Sequence, residues 1–343
     1  MKKKQYILLA LIIYLWSCTQ DSIDYDALLD EQLITAIENY SPDGSYQYYT
    51  LPSSNDFDRI PQDPKNRLSP EKVELGKFLF YETGFSTEAL RASGLNTYSC
   101  STCHLPDQAF KPGRMQGIAD GGQGFGQSGE SRHMNDEYEE HELDIQAARP
   151  LSLINVAFVK NTFWNGQFGS GSSNIGTEHL WSLREDTKLY HLGFEAIETQ
   201  NFEGLRVHRI SVSQELVEAF GYKDLFDRSF PEYDVSERYS NTTAALAISA
   251  FIRTITASKG PFQDWLRGNT SAMTAKEKEG ALLFFGKAKC SSCHYEKNLG
   301  SNEFHVLGVK DMDQHPEALN KNEDARRNLG RGGFTLKEED MYK

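Results

Sequence analysis

The chain has 343 residues, 38% hydrophobic and 25% charged, with a formal net charge of -13. That length suggests two domains of ordinary size. No basic run occurs beyond the extreme N-terminus, which argues against nucleic-acid binding.

The chain opens on Lys2-Lys3-Lys4, a positive n-region. Tyr6 to Trp16 follows as an apolar h-region too short to span a bilayer with ease. Leu15-Trp16-Ser17-Cys18 then resembles a bacterial lipobox, although Trp16 is an unusual occupant. That resemblance implies a lipoprotein signal peptide over residues 1–17 and a membrane anchor through an acylated Cys18. The alternative is a plain secretory signal with an incidental cysteine. Either way the chain is exported, to a bacterial periplasm or an outer-membrane-attached position. Residues 18–66, polar and rich in Asp, Ser, Tyr and Pro, read as a tether followed by a packed arm.

Ser69-Pro70 opens a helix, with a hydroxyl at the N-cap and proline at the first helical position. Glu74 to Tyr81 continues it, a Gly/Ser/Thr-rich loop follows, and then comes Cys100-Ser101-Thr102-Cys103-His104. Gly117 to Gly129 and Gly166 to Gly176 read as long loops, which are often functional. Asn241 to Ser258 is an apolar helix candidate, expected to close the core between two units. Thr274-Ala275-Lys276-Glu277 has capping-box spacing, and Gly280 to Phe285 leads into Cys290-Ser291-Ser292-Cys293-His294. Aligning Gly76 with Gly280 matches the aromatic-aliphatic residues before the two motifs. In each copy the glycine is expected to permit close approach of another helix. The expected division is residues 67–235 and 236–343, a tandem duplication of small α-helical units.

Each motif reads C-x-x-C-H, the attachment signature of a c-type haem. Two thiols two residues apart can each form a thioether to one porphyrin edge, and the adjacent imidazole can ligate the iron. The motifs use four of the five cysteines and Cys18 lies in the leader, so none is left for a structural disulfide. A four-cysteine zinc clip or a redox dithiol would use the same pairs. Neither explains a histidine directly after each pair. Two covalently attached haem c groups are therefore expected, with Cys100, Cys103, Cys290 and Cys293 as attachment points.

From about Leu68 onward the chain resembles the bacterial dihaem cytochrome c peroxidase family, including the methylamine-utilisation dihaem enzymes. Beyond the two motifs, Leu75-Gly76-Lys77-Phe78-Leu79-Phe80 and Ala109-Phe110 carry the likeness. So do Arg149-Pro150, Ser152-Leu153, Asn155 and Phe163-Trp164-Asn165-Gly166. Further on, Arg253-Thr254, Pro261-Phe262, Trp265-Leu266, Gly268 and Phe304-His305-x-Leu307-Gly308 continue it. The family fold is mainly α, two cytochrome c-like haem domains in tandem with a calcium ion near their interface. The resemblance implies that hydrogen peroxide is reduced to water by electrons from a small donor protein, a cytochrome c or a cupredoxin. An acidic surface would suit a basic donor. A homodimer is also compatible with it.

Carried over residue by residue, the resemblance makes His104 and His294 the proximal ligands. It places Trp164 between the haems, Asn155 at a calcium-ligand position and Gln200 at the active-site glutamine. The family's Trp-Asp-Gly-Arg becomes Trp164-Asn165-Gly166-Gln167, and its catalytic glutamate has no clear match. A peroxidase needs a group that moves a proton between the peroxide oxygens, and His208, Glu198 and Glu195 are the candidates. His133, His141, His179 and His191 are candidates for a distal ligand of the first haem. Met312 and Met341 are candidates at the second, where the chain ends 49 residues after His294 and the second domain reads as incomplete. The expectation is a peroxidase whose first haem does the chemistry and whose second relays electrons. The rivals are oxidation of a partner protein and a non-catalytic dihaem electron carrier.

Overall fold

Ser69 is extended and its hydroxyl accepts from the Lys72 N–H, so the helix Pro70–Tyr81 starts where the sequence sets its cap. Its inward side carries Leu75, Gly76, Leu79 and Phe80. It crosses the helix Asn241–Arg253, which is buried at every residue from Thr243 to Arg253. An all-round apolar helix of that kind belongs inside a core. The crossing is tightest at Gly76, where an added Cβ would lie 1.8 Å from the Ala247 carbonyl oxygen. The helix Ala196–Val207 packs on the same central helix, and Val217, Phe226 and Phe230 complete this first core. The model computed for the chain describes residues 24–146, 148–319 and 326–343.

The second core is built from both sides of the first in sequence. Leu33, Ile37 and Tyr49 pack with Trp265, Leu266, Met273 and Phe285. The arm is therefore a helix, Tyr25–Glu38, capped by Asp24 and laid against the helix Ala275–Phe284. Lys278 is fully buried there, 2.8 Å from Asp30 and 3.3 Å from Asp26. Asp30 also accepts from the Trp265 indole N–H at 2.6 Å. Cys18 lies outside the described residues.

Three details differ from the sequence reading. Core membership of the first unit runs through Ile252, beyond the expected division at residue 235, because the central helix packs on Pro70–Tyr81. That helix also stops at Arg253 instead of Ser258. The two lead-in glycines are unequal as well. Gly280 is exposed, and a Cβ added there meets nothing within 4 Å among the described residues.

This asymmetry gives a paired prediction. Gly76→Ala drives a methyl into backbone that cannot rotate aside, at a cost of about 1–3 kcal/mol or more. Gly280→Ala removes a mid-helix glycine at no steric cost and is worth about 0.5–1 kcal/mol of added stability. Urea melts of the two variants should move in opposite directions. Equal shifts would contradict the close crossing at Gly76.

Sheet is minimal among the described residues, with Gly122–Gln123 pairing antiparallel with His133–Met134. The long loops carry only short turns of helix. Arg132 is buried among them and donates to the carbonyls of Ile118, Ala119 and Gly124. No helix among the described residues is long and apolar enough to cross a membrane.

Candidate functional site

A cavity opens beside the first core, with about 780 Å³ of space free of protein atoms, its mouth included. Cys100, Cys103 and His104 form one wall. Phe80, Leu153, Val156 and Ile252 supply apolar surface. A further part of the lining is one face of the helix Ala196–Val207 and its cap: Ile197, Gln200, Asn201, Gly204, Leu205 and His208. Their spacing of three and four residues is that of a single helical face.

The motif itself is a one-turn helix, Cys100–Cys103, closed by reciprocal bonds between Ser99 and Thr102. That turn places both sulfurs on the cavity side. An added Cβ on Gly117 would lie 2.3 Å from the Cys103 sulfur, so only glycine fits behind it. Burial pushes both thiols up to about 12.

His104 is held by its far nitrogen. Nδ1 lies 2.9 Å from the Phe110 carbonyl oxygen, which fixes Nδ1 as donor and leaves the Nε2 lone pair free. Phe110 reaches that position through a left-handed backbone at φ 55°, next to Ala109 at φ 53°. Non-glycine residues rarely accept that conformation, and each costs about 1 kcal/mol or more. Burial, partly opposed by the hydrogen bond to Phe110 and reinforced by His208, lowers the His104 pKa to about 4. A neutral imidazole with a free Nε2 is what an iron ligand requires.

The second motif repeats the device. His294 Nδ1 lies 2.9 Å from the Leu299 carbonyl oxygen, and Leu299 also has a left-handed backbone at φ 55°. Its surroundings differ. His294 is exposed, Cys290 and Cys293 are half-buried, and the Phe284 ring stands 6.1 Å from the imidazole. The first site is enclosed and the second lies on an open face.

Both sites fit a haem by the chemistry of their donors. The first adds a walled cavity in which the Gln146 side-chain oxygen is buried without a partner among the described residues. Among the described residues no three His, Cys, Asp or Glu side chains gather into a metal site.

The candidate residues separate sharply in space. Gln200 lines the cavity, and its amide bonds to no other described group. His208 lines it too, with Nδ1 2.8 Å from Asp144 Oδ2. Glu198 faces away. It is fully buried and paired with Arg253 at 2.6 Å, and Glu195 joins the same guanidinium at 3.1 Å. Helix positions 198 and 200, two apart, point to opposite sides, so the structure brings Gln200 and His208 to one cavity and leaves both glutamates out of it.

His133, His141, His179 and His191 are all exposed and none lines the cavity. The Met341 sulfur sits against Gly332, and Met312 opens a short turn at Met312–Gln314. Asn155 has φ 61°, and its side-chain oxygen accepts from the Ala257 N–H at 2.8 Å. It ties the loop after the first site to the segment leaving the central helix.

Trp164 is 50% exposed, on a turn clamped from the far end of the chain. Arg331 is buried and donates to the carbonyls of Asn165, Gly166 and Ser173. Its guanidinium lies over Phe304 at 4.8 Å and Phe334 at 5.2 Å. Sequence reading missed Arg331 and Asp144. The available signal for Arg331 was the glutamine at 167, where the family resemblance expected an arginine.

Comparison with known proteins shows what the chain is similar to. The chain is 29% identical over 279 residues to the methylamine utilization protein MauG of Methylorubrum extorquens, covering 80% of this chain and 60% of that one. It is 24% identical over 287 residues to the cytochrome c peroxidase Ccp of Escherichia coli, covering 83% and 48%. The chain thus spans only half to three fifths of the length of these relatives. A solved MauG-like protein associated with microbial copper homeostasis shares the fold, with a TM-score of 0.51, 23% identity and coverage of 86% and 71%. The pattern of the di-haem cytochrome c peroxidases matches residues 70–271, which contain the enclosed cavity, the first motif and the central helix. With that match over more than half its length, the chain belongs to the di-haem cytochrome c peroxidase family.

Proposed function

We propose that this chain reduces hydrogen peroxide to water with electrons from a small donor protein, and that the chemistry occurs in the enclosed cavity. The observation that carries the proposal is the unlike pair of walls around that cavity. One wall bears a thiol pair and an imidazole with a free Nε2. The other bears polar side chains, Gln200 and His208, facing the same space.

Haem bound to Cys100, Cys103 and His104 would supply an iron that binds peroxide and accepts electrons. The chain's own residues do the rest. His104 holds its place through Phe110, Gln200 offers an uncommitted amide to orient peroxide, and His208 is within reach of a proton. The apolar wall of Phe80, Leu153, Val156 and Ile252 limits water. Cys290, Cys293 and His294 would hold a second haem, which would supply an electron-accepting centre for the donor protein on that open face. Trp164, on the loop clamped by Arg331, would pass electrons from one site to the other. In this reading the two cores are tandem haem units, and export as a lipoprotein rests on residues 1–18 alone.

Half-exposure of Trp164 favours one second reading, oxidation of a partner protein's side chain through that surface. The two readings separate in one experiment. Dihaem protein, pre-reduced at the second haem, is mixed with hydrogen peroxide and a reduced cytochrome c or cupredoxin. Catalytic donor oxidation is expected. No turnover, together with a purely low-spin spectrum in every redox state, would sink the peroxidase reading.

A further inference from the structure

We propose that His208, oriented by Asp144, is the catalytic group that moves a proton between the two oxygens of bound peroxide. The inference rests on the peroxidase reading and deepens it at one site. Asp144 acts through His208 and is a positioning residue.

The geometry is that of a histidine held at one nitrogen and presented at the other. His208 caps the helix Ala196–Val207, two turns beyond Gln200 and on the same face. Its Nδ1 meets both oxygens of Asp144, at 2.8 Å and 3.0 Å. Asp144 is itself pinned on both backbone sides. Its N–H donates to the Asp120 carbonyl at 3.0 Å, and its carbonyl accepts from Ala119 at 2.9 Å. The carboxylate therefore fixes the Nδ1–H tautomer and leaves Nε2 for the cavity.

The cavity thus holds two imidazoles with unlike partners. His104 donates to an uncharged carbonyl, the arrangement of a ligand. His208 donates to a carboxylate, the arrangement of an acid–base group. Burial alone would lower the His208 pKa, but the charge and hydrogen bond of Asp144 outweigh it and the net shift is upward. Glu203 on the same helix adds to the rise, and neighbouring Arg209 opposes it. From the motif wall Tyr98 also faces the cavity, and burial raises its pKa so that it stays uncharged.

The step balances as follows. Neutral His208 takes the proton from the peroxide oxygen that will remain and delivers it to the other oxygen. The O–O bond breaks, and the protonated oxygen leaves as water. Two electrons from two molecules of the one-electron donor protein, with two protons from solvent, convert the remaining oxygen to a second water. His208 ends in its starting state.

The test uses the dihaem protein and two probes, hydrogen peroxide and cyanide. Cyanide must also lose a proton on binding, so its binding rate reports the base without turnover. His208→Gln should slow the peroxide reaction by about 10²-fold or more and remove the acid limb from the cyanide pH profile. Asp144→Asn should slow both less and shift that limb to lower pH, and Asp144→Glu should restore it. Thermal melts identify any variant that fails to fold, and Asp144→Asn keeps the shape of the site. Unchanged cyanide profiles in folded His208→Gln and Asp144→Asn would overturn the proposal. Conversion of the first haem from low-spin to high-spin in His208→Gln would also overturn it, by making His208 an iron ligand. A parent protein that binds neither probe would defeat the peroxidase reading itself, a result distinct from failure of the dyad.

Discussion

Serine at both Cys100 and Cys103 is expected to abolish peroxide reduction and to lower the haem count from two per chain to one. Serine at both Cys290 and Cys293 should lower the count equally, yet leave the other site reactive toward peroxide. The reason is the difference in surroundings. The first motif faces an enclosed cavity also lined by Gln200 and His208. The second motif is more open, with an exposed histidine and half-buried cysteines. Attachment chemistry is the same at both, so haem content cannot tell them apart, whereas reactivity can. In the Cys290/Cys293 variant, one equivalent of peroxide should still change the spectrum rapidly, while donor-driven turnover falls to background because the relay is gone. Haem per chain, rapid-mixing spectra and steady-state donor oxidation together check the assignment. Turnover surviving in the Cys100/Cys103 variant would reverse the roles of the two sites.

What the sequence made legible is local. Ser69 and Thr274 cap their helices as their residue types predict, because N-cap bonds span only two or three positions. The two C-x-x-C-H motifs are equally local, since five consecutive residues hold the attachment atoms. The partners that decide each residue's role are distant. Asp144 lies 64 positions from His208, and Arg331 lies 166 from the Asn165 carbonyl it clamps. No periodicity encodes such pairings. Gly76 and Gly280 look equivalent in the repeat, but only Gly76 has a helix across it. Helical phase was the one available discriminator for the glutamates. Gln200 and His208 share a face that Glu198 leaves, two positions and about 200° from Gln200 around the axis.

That phase difference yields the second large effect. Glu198→Ala is expected to cost about 3–5 kcal/mol, because it removes the buried partner of Arg253 and leaves only the more exposed Glu195 at 3.1 Å. Arg253 is 1% exposed and Glu198 is fully buried. The guanidinium donates to both Glu198 oxygens, at 3.0 Å and 2.6 Å, and to the Pro61 carbonyl at 3.0 Å. Asn66 completes the group, donating to Glu198 at 3.2 Å and to the Leu246 carbonyl at 2.9 Å. Burial alone would lower the Arg253 pKa, but Glu198 and Glu195 outweigh it and keep the guanidinium charged. With a typical total stability of about 5–15 kcal/mol, the single variant loses a large share of it. Removing both charges is a different operation. Glu198→Leu with Arg253→Met replaces a desolvated ion pair by apolar volume, so most of the loss should be recovered. Urea melts of the single and double variants measure this directly. The double variant also decides what Glu198 is for. Facing away from the cavity, it should be dispensable once its charge partner is gone, and the peroxide rate should stay within a few-fold of the parent. A folded double variant that no longer reacts with peroxide would return Glu198 to the catalytic candidates.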